Sequence, residues 1–311
     1  MTIEVKMKSM NSGPAQLLNR CVIVVTILLL SFFQSLPSFA KSSLRTYSAT
    51  LENSVWQLAD NNKLQCQLQH TIPNYGTAIF SSVANKLANL NFELDLRRLP
   101  EDYSLAQIES VPPQWRPGQG ATHITDLQWR KQFNGDVDQD SAWVMLTELE
   151  KGYFPTLYYA DWHNKSDRVA VALAATNFRG VYYDFLTCMD NLLPYSFDDI
   201  SYTVLNFEKN SATLDKASKK KLAQIEEYLK HDTNIERIKV KAYSSSWGGR
   251  YTNLKVSQKR ANEVKDLFVQ FGIDKTKIDV EGFGEKRHIA SNETILGRAE
   301  NRRVVIQMEK P

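Results

Sequence analysis

The residues best placed to do chemistry lie in one short stretch, residues 242–264, which reads AYSSSWGGRYTNLKVSQKRANEV. A strand end is followed by a loop of serines and glycines and then by a helix that carries basic residues. Free N–H groups and the positive dipole end make a helix N-terminus favourable for an anion. Asn253 can cap this helix, and Ser244 and Ser245 add hydroxyl groups. Arg260, about two turns further on, offers a planar fork to a carboxylate, so we predict an anion-binding site.

Other residue types that could do chemistry lack the spacing that catalysis or metal binding requires. Ser218 and Lys221 form an S-x-x-K pair, but they fall among lysines on a charged helix, where a solvated face is the commoner explanation. The five histidines form no HExxH or paired motif, and they are scattered at His70, His123, His163, His231 and His288. We therefore predict no enzyme activity, no metal and no cofactor.

The stretch from residue 197 to residue 311 has the rhythm of alternating strands and helices. The hydrophobic periodicity predicts strands over 201–207, 235–243, 277–284 and 302–309, and helices over 215–230 and from about Asn253 to Phe271. Ile238, Val240 and Ala242 alternate with basic residues, so we expect one face of the sheet to be buried in the core and the other to be exposed to solvent. We predict a two-layer α/β sandwich in which helices cover one side of a mixed sheet.

Residues 41–196 are predicted to form a β-rich, barrel-like domain with a few helices, which makes the chain an α+β protein. Residues 90–98 alternate apolar and polar side chains, and the stretch that starts at Arg168 repeats that pattern. Residues 140–152 place apolar side chains on one helical face and end at Gly152, a natural C-terminal cap.

The first forty residues have the layout of a signal peptide. Residues 22–33 are uncharged, follow basic residues and precede Ser38 and Ala40, the small residues expected before a cleavage site. A retained membrane anchor is the alternative, although a bilayer-spanning helix needs about 20 apolar residues. We expect export and cleavage after Ala40, with Met1, Met7 or Met10 as the start.

Cysteine usage agrees with export, because removal of the predicted signal peptide with Cys21 leaves Cys66 and Cys188, an even pair in a compartment that permits disulfides. We predict that they are bonded, and two buried free thiols are the alternative. Residues 198–311 hold 22 Lys and Arg against 17 Asp and Glu. An exported basic domain does not meet cellular nucleic acid, so anionic surfaces or polymers of the envelope are the expected partners.

Four motifs in the C-terminal part resemble the OmpA-like peptidoglycan-binding family: LNFEKNSATLD, the stretch 242–264, GFGEKRHIASN and GRAENRRVVI. The resemblance implies a noncovalent grip on the diaminopimelate-bearing peptide of peptidoglycan, in which an aspartate and an arginine hold an amine and a carboxylate. Arg260 falls on the family's arginine and Asn253 on its helix-start asparagine. The terminal signature falls on Asn301, Arg302 and Arg303, and for the two arginines a solvated basic strand end is an equal alternative.

The chain departs from that family at one place that matters for binding. Ser244 and Ser245 stand where the family usually has Thr-Asp. The carboxylate that would pair with the ligand's amine is therefore missing.

The mature chain as a whole resembles the MotY family of exported components of sodium-driven polar flagellar motors. The motifs are WQLADNNKLQCQLQHTIPNYGTAIFSS, PPQWRPG, LTELEKGYFPTLYYADW and CMDNLLPYSFDDISYTVLNFEKN. The resemblance implies a non-enzymatic, periplasmic ring component that binds the basal body and MotX and helps to hold stator units, with a disulfide at Cys66 and Cys188. The alternatives are a generic envelope tether that is unrelated to motility and a wall-active hydrolase.

Overall fold

The computed structural model describes residues 43–116, 118–208, 211 and 213–311. The predicted signal peptide, residues 1–40, lies outside the described residues. Residues Leu44–Pro311 form one compact unit. Within the described part of the chain, no helix combines the length and the apolar character needed to cross a membrane.

The N-terminal domain is built from two five-stranded sheets that share one hydrophobic core. The first sheet has the order β1-β10-β9-β6-β7, with β1 (Leu44–Ser48), β6 (Ser104–Val111), β7 (Thr122–Trp129), β9 (Phe154–Ala160) and β10 (Arg168–Ala172). The second has the order β2-β3-β4-β5-β8, with β2 (Trp56–Asn61), β3 (Gln65–Ile72), β4 (Gly76–Val83), β5 (Asn91–Leu96) and β8 (Gly135–Val137).

Both sheets are open, so the barrel-like form expected from the sequence is corrected to two facing sheets. The predicted strands at 91–96 and 168–172 are confirmed. Burial alternates along β5, whereas three consecutive residues of β10 are buried, of which Val169 and Val171 join the shared core. Alternation along a strand is the same in a sandwich and in a closed barrel. It therefore predicts the strands and leaves the closure of the sheet undetermined.

Two helices pack against these sheets, α1 (Gln139–Lys151) and α2 (Phe178–Asp190). Asp138 caps α1 by accepting a hydrogen bond from the Ser141 backbone N–H, and Gly152 ends it with φ of 89°. That left-handed conformation suits glycine, so the predicted C-terminal cap is confirmed. The helix α2 carries Cys188 into the core.

The disulfide predicted from the sequence is present. Cys66 on β3 is bonded to Cys188 on α2, with a Cα–Cα distance of 6.0 Å and a separation of 122 residues along the chain. The bond fixes α2 to the second sheet.

The C-terminal domain is a two-layer sandwich with a mixed sheet, as predicted. The strand order is β11-β14-β12-β13, with β12 parallel to β13 and antiparallel to β14. The elements are α3 (Phe197–Ser201), β11 (Tyr202–Asn206), α4 (Lys216–Leu229), β12 (Arg237–Ala242), α5 (Arg250–Gln270), a 3₁₀ turn (Lys275–Lys277), β13 (Ile278–Gly282), α6 (Ile295–Asn301) and β14 (Arg303–Glu309).

The helices α4 and α5 cover one face of this sheet. Ile225 and Leu229 from α4, and Val264 and Phe268 from α5, join the buried face of β12 in a second core. The short helices α3 and α6 were not predicted, because five and seven residues carry too little periodicity.

The two domains touch through apolar side chains and ion pairs. Ala84 and Leu193 belong to the C-terminal core. The Lys63 ammonium donates to Glu227 at 2.8 Å, and Lys86 pairs with Asp199. The hydrogen bonds from Lys63 and from Lys230 lower the pKa of Glu227 to about 2.

Close packing between β13 and α5 sets the position of the predicted site. A Cβ atom at Gly282 would lie 2.6 Å from the Gln258 backbone nitrogen and 2.8 Å from its Cα atom. The Gly282 N–H donates to the Gln258 side chain at 3.0 Å, and the Gly284 N–H donates to Ser257 at 2.9 Å. Only glycine allows this approach, which holds the first half of α5 against the sheet.

The disulfide gives the first testable prediction. We expect Cys66→Ala/Cys188→Ala to lower the free energy of unfolding by about 2 to 5 kcal/mol, because the unfolded chain gains conformational freedom. Urea unfolding of both proteins measures this, and a reductant should change only the wild type. Equal midpoints under oxidising conditions would contradict the structural role of the bond.

The second prediction concerns Gly282. We expect Gly282→Ala to cost about 1 to 3 kcal/mol of unfolding free energy, because the added methyl group meets the backbone of α5. Gly180→Ala is the matched control, since a Cβ atom at exposed Gly180 on α2 has nothing within 4 Å. Alanine there should be neutral or stabilise by up to about 1 kcal/mol. An equal effect of both substitutions in urea unfolding would rule out this account.

Candidate anion-binding site

A cavity of about 390 Å³ lies at the N-terminal part of α5, where the predicted stretch 242–264 meets two other segments. Its lining combines basic, hydroxyl and apolar side chains. These are Ser211, Ser244, Ser245, Trp247, Thr252, Asn253, Val256, Lys259, Arg260 and Arg302.

Arg260 is the most deeply placed charge of this cavity, with 3% of its surface exposed. Its guanidinium carbon lies 4.6 Å from the centre of the Phe207 ring, and its Nη2 donates to the Ser211 carbonyl at 2.8 Å. Its Nε and Nη1 atoms are buried without a hydrogen-bond partner among the described residues. Burial lowers the pKa of Arg260 to about 10, and the positive charge of Arg302 adds to the shift. The group is still a cation at neutral pH.

Two further cations lie beside Arg260. Arg302 follows α6 directly, and its Nε atom is also buried without a partner in the described part of the chain. Burial lowers the pKa of Arg302, and the charge of Arg298 contributes. Lys259 is exposed on α5 and stands 3.9 Å from Glu263. The cavity therefore gathers positive charge and unpartnered donors, an arrangement suited to an anion.

The loop after β12 brings its hydroxyl groups to the same cavity. Ser244 is 4% exposed and Ser245 is 7% exposed. The Ser244 N–H donates to the Gly284 carbonyl at 2.7 Å. The Ser244 Oγ atom is buried and has no hydrogen-bond partner within the described residues. Both serines thus line the cavity.

Asn253 lines the cavity but does not cap α5, which is a correction to the sequence-based expectation. The helix begins three residues earlier, and Gly249 is its N-cap without a side-chain bond. The Asn253 side-chain amide donates to Glu285 at 2.9 Å and to the Gly248 carbonyl at 3.4 Å. Asn253 therefore ties the start of the helix to two loops.

Asn301 and Arg303 lie outside the cavity. The Asn301 side chain is fully buried, accepts from the backbone N–H groups of Ile289 and Ala290, and donates to the Ala290 carbonyl at 2.8 Å. Arg303 stacks on the Tyr243 ring at 4.0 Å and donates to the Arg287 carbonyl at 3.0 Å. Strand alternation places Arg303 on the sheet face opposite the core residues Val304 and Ile306.

Sequence reasoning missed Phe207, Ser211 and Lys259 as parts of the site. All three lie within the motifs quoted above, so their positions carried a signal. Ser211 is 49 residues from Arg260 along the chain and contributes a backbone carbonyl, which no residue-type pattern reveals.

The other residues that could do chemistry have structural roles. Ser218, expected on a solvated face, is buried, and its Oγ accepts from the Asn206 N–H at 2.7 Å. Lys221 donates to the Val204 carbonyl. Buried His70 stacks on Trp56, and burial lowers its pKa. Within the described ranges, no group of three or more His, Cys, Asp or Glu side chains is placed to hold a metal ion.

Two family models match different parts of the chain. Residues 47–194 match the MotY N-terminal domain family, and residues 206–302 match the OmpA family. The probable lipoprotein YiaD of Escherichia coli (strain K12) is 36% identical over 104 residues, which is 33% of this chain and 47% of that protein.

Two solved structures match about a third of this chain. The peptidoglycan-associated lipoprotein from Burkholderia pseudomallei matches with a TM-score of 0.31 and 22% identity, covering 34% of this chain and 89% of that one. The C-terminal domain of Helicobacter pylori MotB matches with a TM-score of 0.31 and 18% identity, covering 35% of this chain and 85% of that one.

One relative extends over both domains. The sodium-type flagellar protein MotY of Vibrio parahaemolyticus serotype O3:K6 is 43% identical over 264 residues, which is 85% of this chain and 90% of that protein. Identity of this degree over nearly the full length of that protein shows that the chain belongs to the MotY family.

Proposed function

We propose that the chain is a non-enzymatic, periplasmic component of the sodium-driven polar flagellar motor. Its C-terminal domain binds the diaminopimelate-containing peptide of peptidoglycan, and its N-terminal domain associates with the flagellar basal body and MotX in a ring. In this arrangement it anchors stator units to the wall. The observation that supports wall binding is the guanidinium of Arg260, which lines the cavity and has two buried donor atoms without a partner in the described structure.

A carboxylate is the ligand group that best fits this guanidinium. Removing a cation from water is costly unless an anion or several acceptors replace the lost hydration. Among the described residues, Arg260 donates one hydrogen bond, to the Ser211 carbonyl, and packs against one aromatic ring, that of Phe207. A carboxylate would fill the remaining donors with charge-assisted hydrogen bonds, which are about twice as strong as neutral ones. Wall peptides carry such carboxylates.

The remainder of the structure fits an anchor. A stator exerts torque only if something fixed resists it, so a tether between wall and motor must transmit force without yielding. The disulfide fixes α2 to a sheet of the N-terminal domain. The Lys63–Glu227 and Lys86–Asp199 pairs and the apolar contacts of Ala84 and Leu193 connect that domain to the C-terminal one.

Wall binding is tested by Arg260→Met. Methionine retains an apolar stem over Phe207 but removes the donors, so we expect at least about a tenfold loss of affinity for purified sacculi. The unfolding free energy should not fall, because an apolar side chain replaces an incompletely paired buried charge.

The matched control for this experiment is Arg237→Met. Arg237 is exposed near the start of β12 and pairs with Asp279 at 2.7 Å, so the same change of net charge occurs away from the cavity. Sedimentation with sacculi measures binding of both variants. Equal retention of Arg260→Met and the wild type would remove Arg260 from the proposed role.

The motor assignment is tested in cells. We expect a strain that lacks the chain to assemble flagella of normal number that rotate poorly, because stator units lose their anchor. Complementation with Arg260→Met should restore less swimming speed than complementation with Arg237→Met. Unaffected swimming of the deletion strain would contradict the motor role and leave a general envelope tether.

A further inference from the structure

The charges of the cavity are all of one sign. Lys259, Arg260 and Arg302 are its ionised side chains, and no Asp or Glu lines it among the described residues. Residues 209, 210 and 212, which lie outside the described residues, are lysine, asparagine and alanine, so none of them has a carboxylate side chain. Two acids stand next to the lining without lining the cavity themselves, because Glu263 pairs with Lys259 at 3.9 Å and Glu285 accepts a hydrogen bond from Asn253.

A ligand that carries a free amine beside its carboxylate fits such a cavity poorly. The amine is an ammonium ion at neutral pH, and it would have to leave water without an anionic partner. It would also stand near three positive side chains, and like charges in a partly buried place repel strongly. A ligand with a carboxylate and a neutral group in place of the ammonium avoids both costs.

The serines supply what a neutral amide needs. The Ser244 Oγ atom is buried and unpartnered in the described structure, and Ser245 lines the cavity beside it. A hydroxyl group both donates and accepts, so it can pair with the N–H or the C=O of an amide without contributing charge. Trp247, 71% exposed at the cavity rim, adds an apolar surface for an acyl group.

We propose that this cavity selects wall peptides in which the diaminopimelate amine is acylated, as it is in a cross-link, over peptides in which that amine is free. The inference rests on the proposed wall binding and deepens it. In chemical terms, the chain would hold finished, cross-linked wall in preference to uncross-linked peptide. Arg260 would bind the carboxylate, and Ser244 and Ser245 would face the amide.

The test uses two soluble tripeptides that end in diaminopimelate and differ only in the side-chain amine, which is free in one and acetylated in the other. Calorimetric titration of the purified chain should show at least about fivefold tighter binding of the acetylated peptide. Ser245→Asp should reverse this preference, because a carboxylate then pairs with the free ammonium. Ser245→Asn, of similar size and uncharged, should keep the wild-type order.

The outcomes separate the two proposals. Absence of binding for both peptides, in the wild type as in Arg260→Met, would overturn the proposed wall binding and this inference with it. Arg260-dependent binding with equal affinities, or with the free amine preferred, would overturn the selectivity and leave wall binding standing. An unchanged preference in folded Ser245→Asp would show that Ser245 does not face the amine position.

Discussion

A guanidinium group withdrawn from water requires acceptors, and the surroundings of Arg260 meet that requirement only in part. One carbonyl from Ser211 and the face of Phe207 support the group, while its Nε and Nη1 atoms have no partner in the described structure. A side chain that served packing alone would be better replaced by an apolar residue. The imperfect pairing is best understood as readiness for an anion, and the elements around it serve to hold it in place.

The sheet and close backbone contacts hold α5, which carries Arg260, in position. Gly282 and Gly284 allow β13 and the following loop to approach α5, and Asn253 ties the first turn of α5 to neighbouring loops. Asn301 in turn holds the loop at Ile289 and Ala290 with its side-chain amide. This construction suits the proposed anchoring role, because the donors of the site lie on packed elements and on loops fixed by buried hydrogen bonds.

Much of this architecture could be predicted from the sequence, because strand alternation and helix periodicity report burial directly. The helix at 139–151 with its Gly152 cap, the Cys66–Cys188 bond and the mixed C-terminal sheet were all predicted. The division of the N-terminal strands into two sheets was not, since alternation does not encode closure. Within the site, Arg260 was found by residue type and spacing. The separation of Arg302 from Arg303 onto opposite sides of the sheet, and the Ser211 carbonyl, depend on tertiary packing.

The central claim is that Arg260 binds a carboxylate of the wall. A crystal structure of the chain with a bound diaminopimelate tripeptide tests it most directly. The account predicts a carboxylate oxygen about 2.7 to 2.9 Å from Nε or Nη1 of Arg260, with the Ser211 contact retained. A peptide bound on the opposite sheet face beside Arg303, with no contact to Arg260, would contradict it.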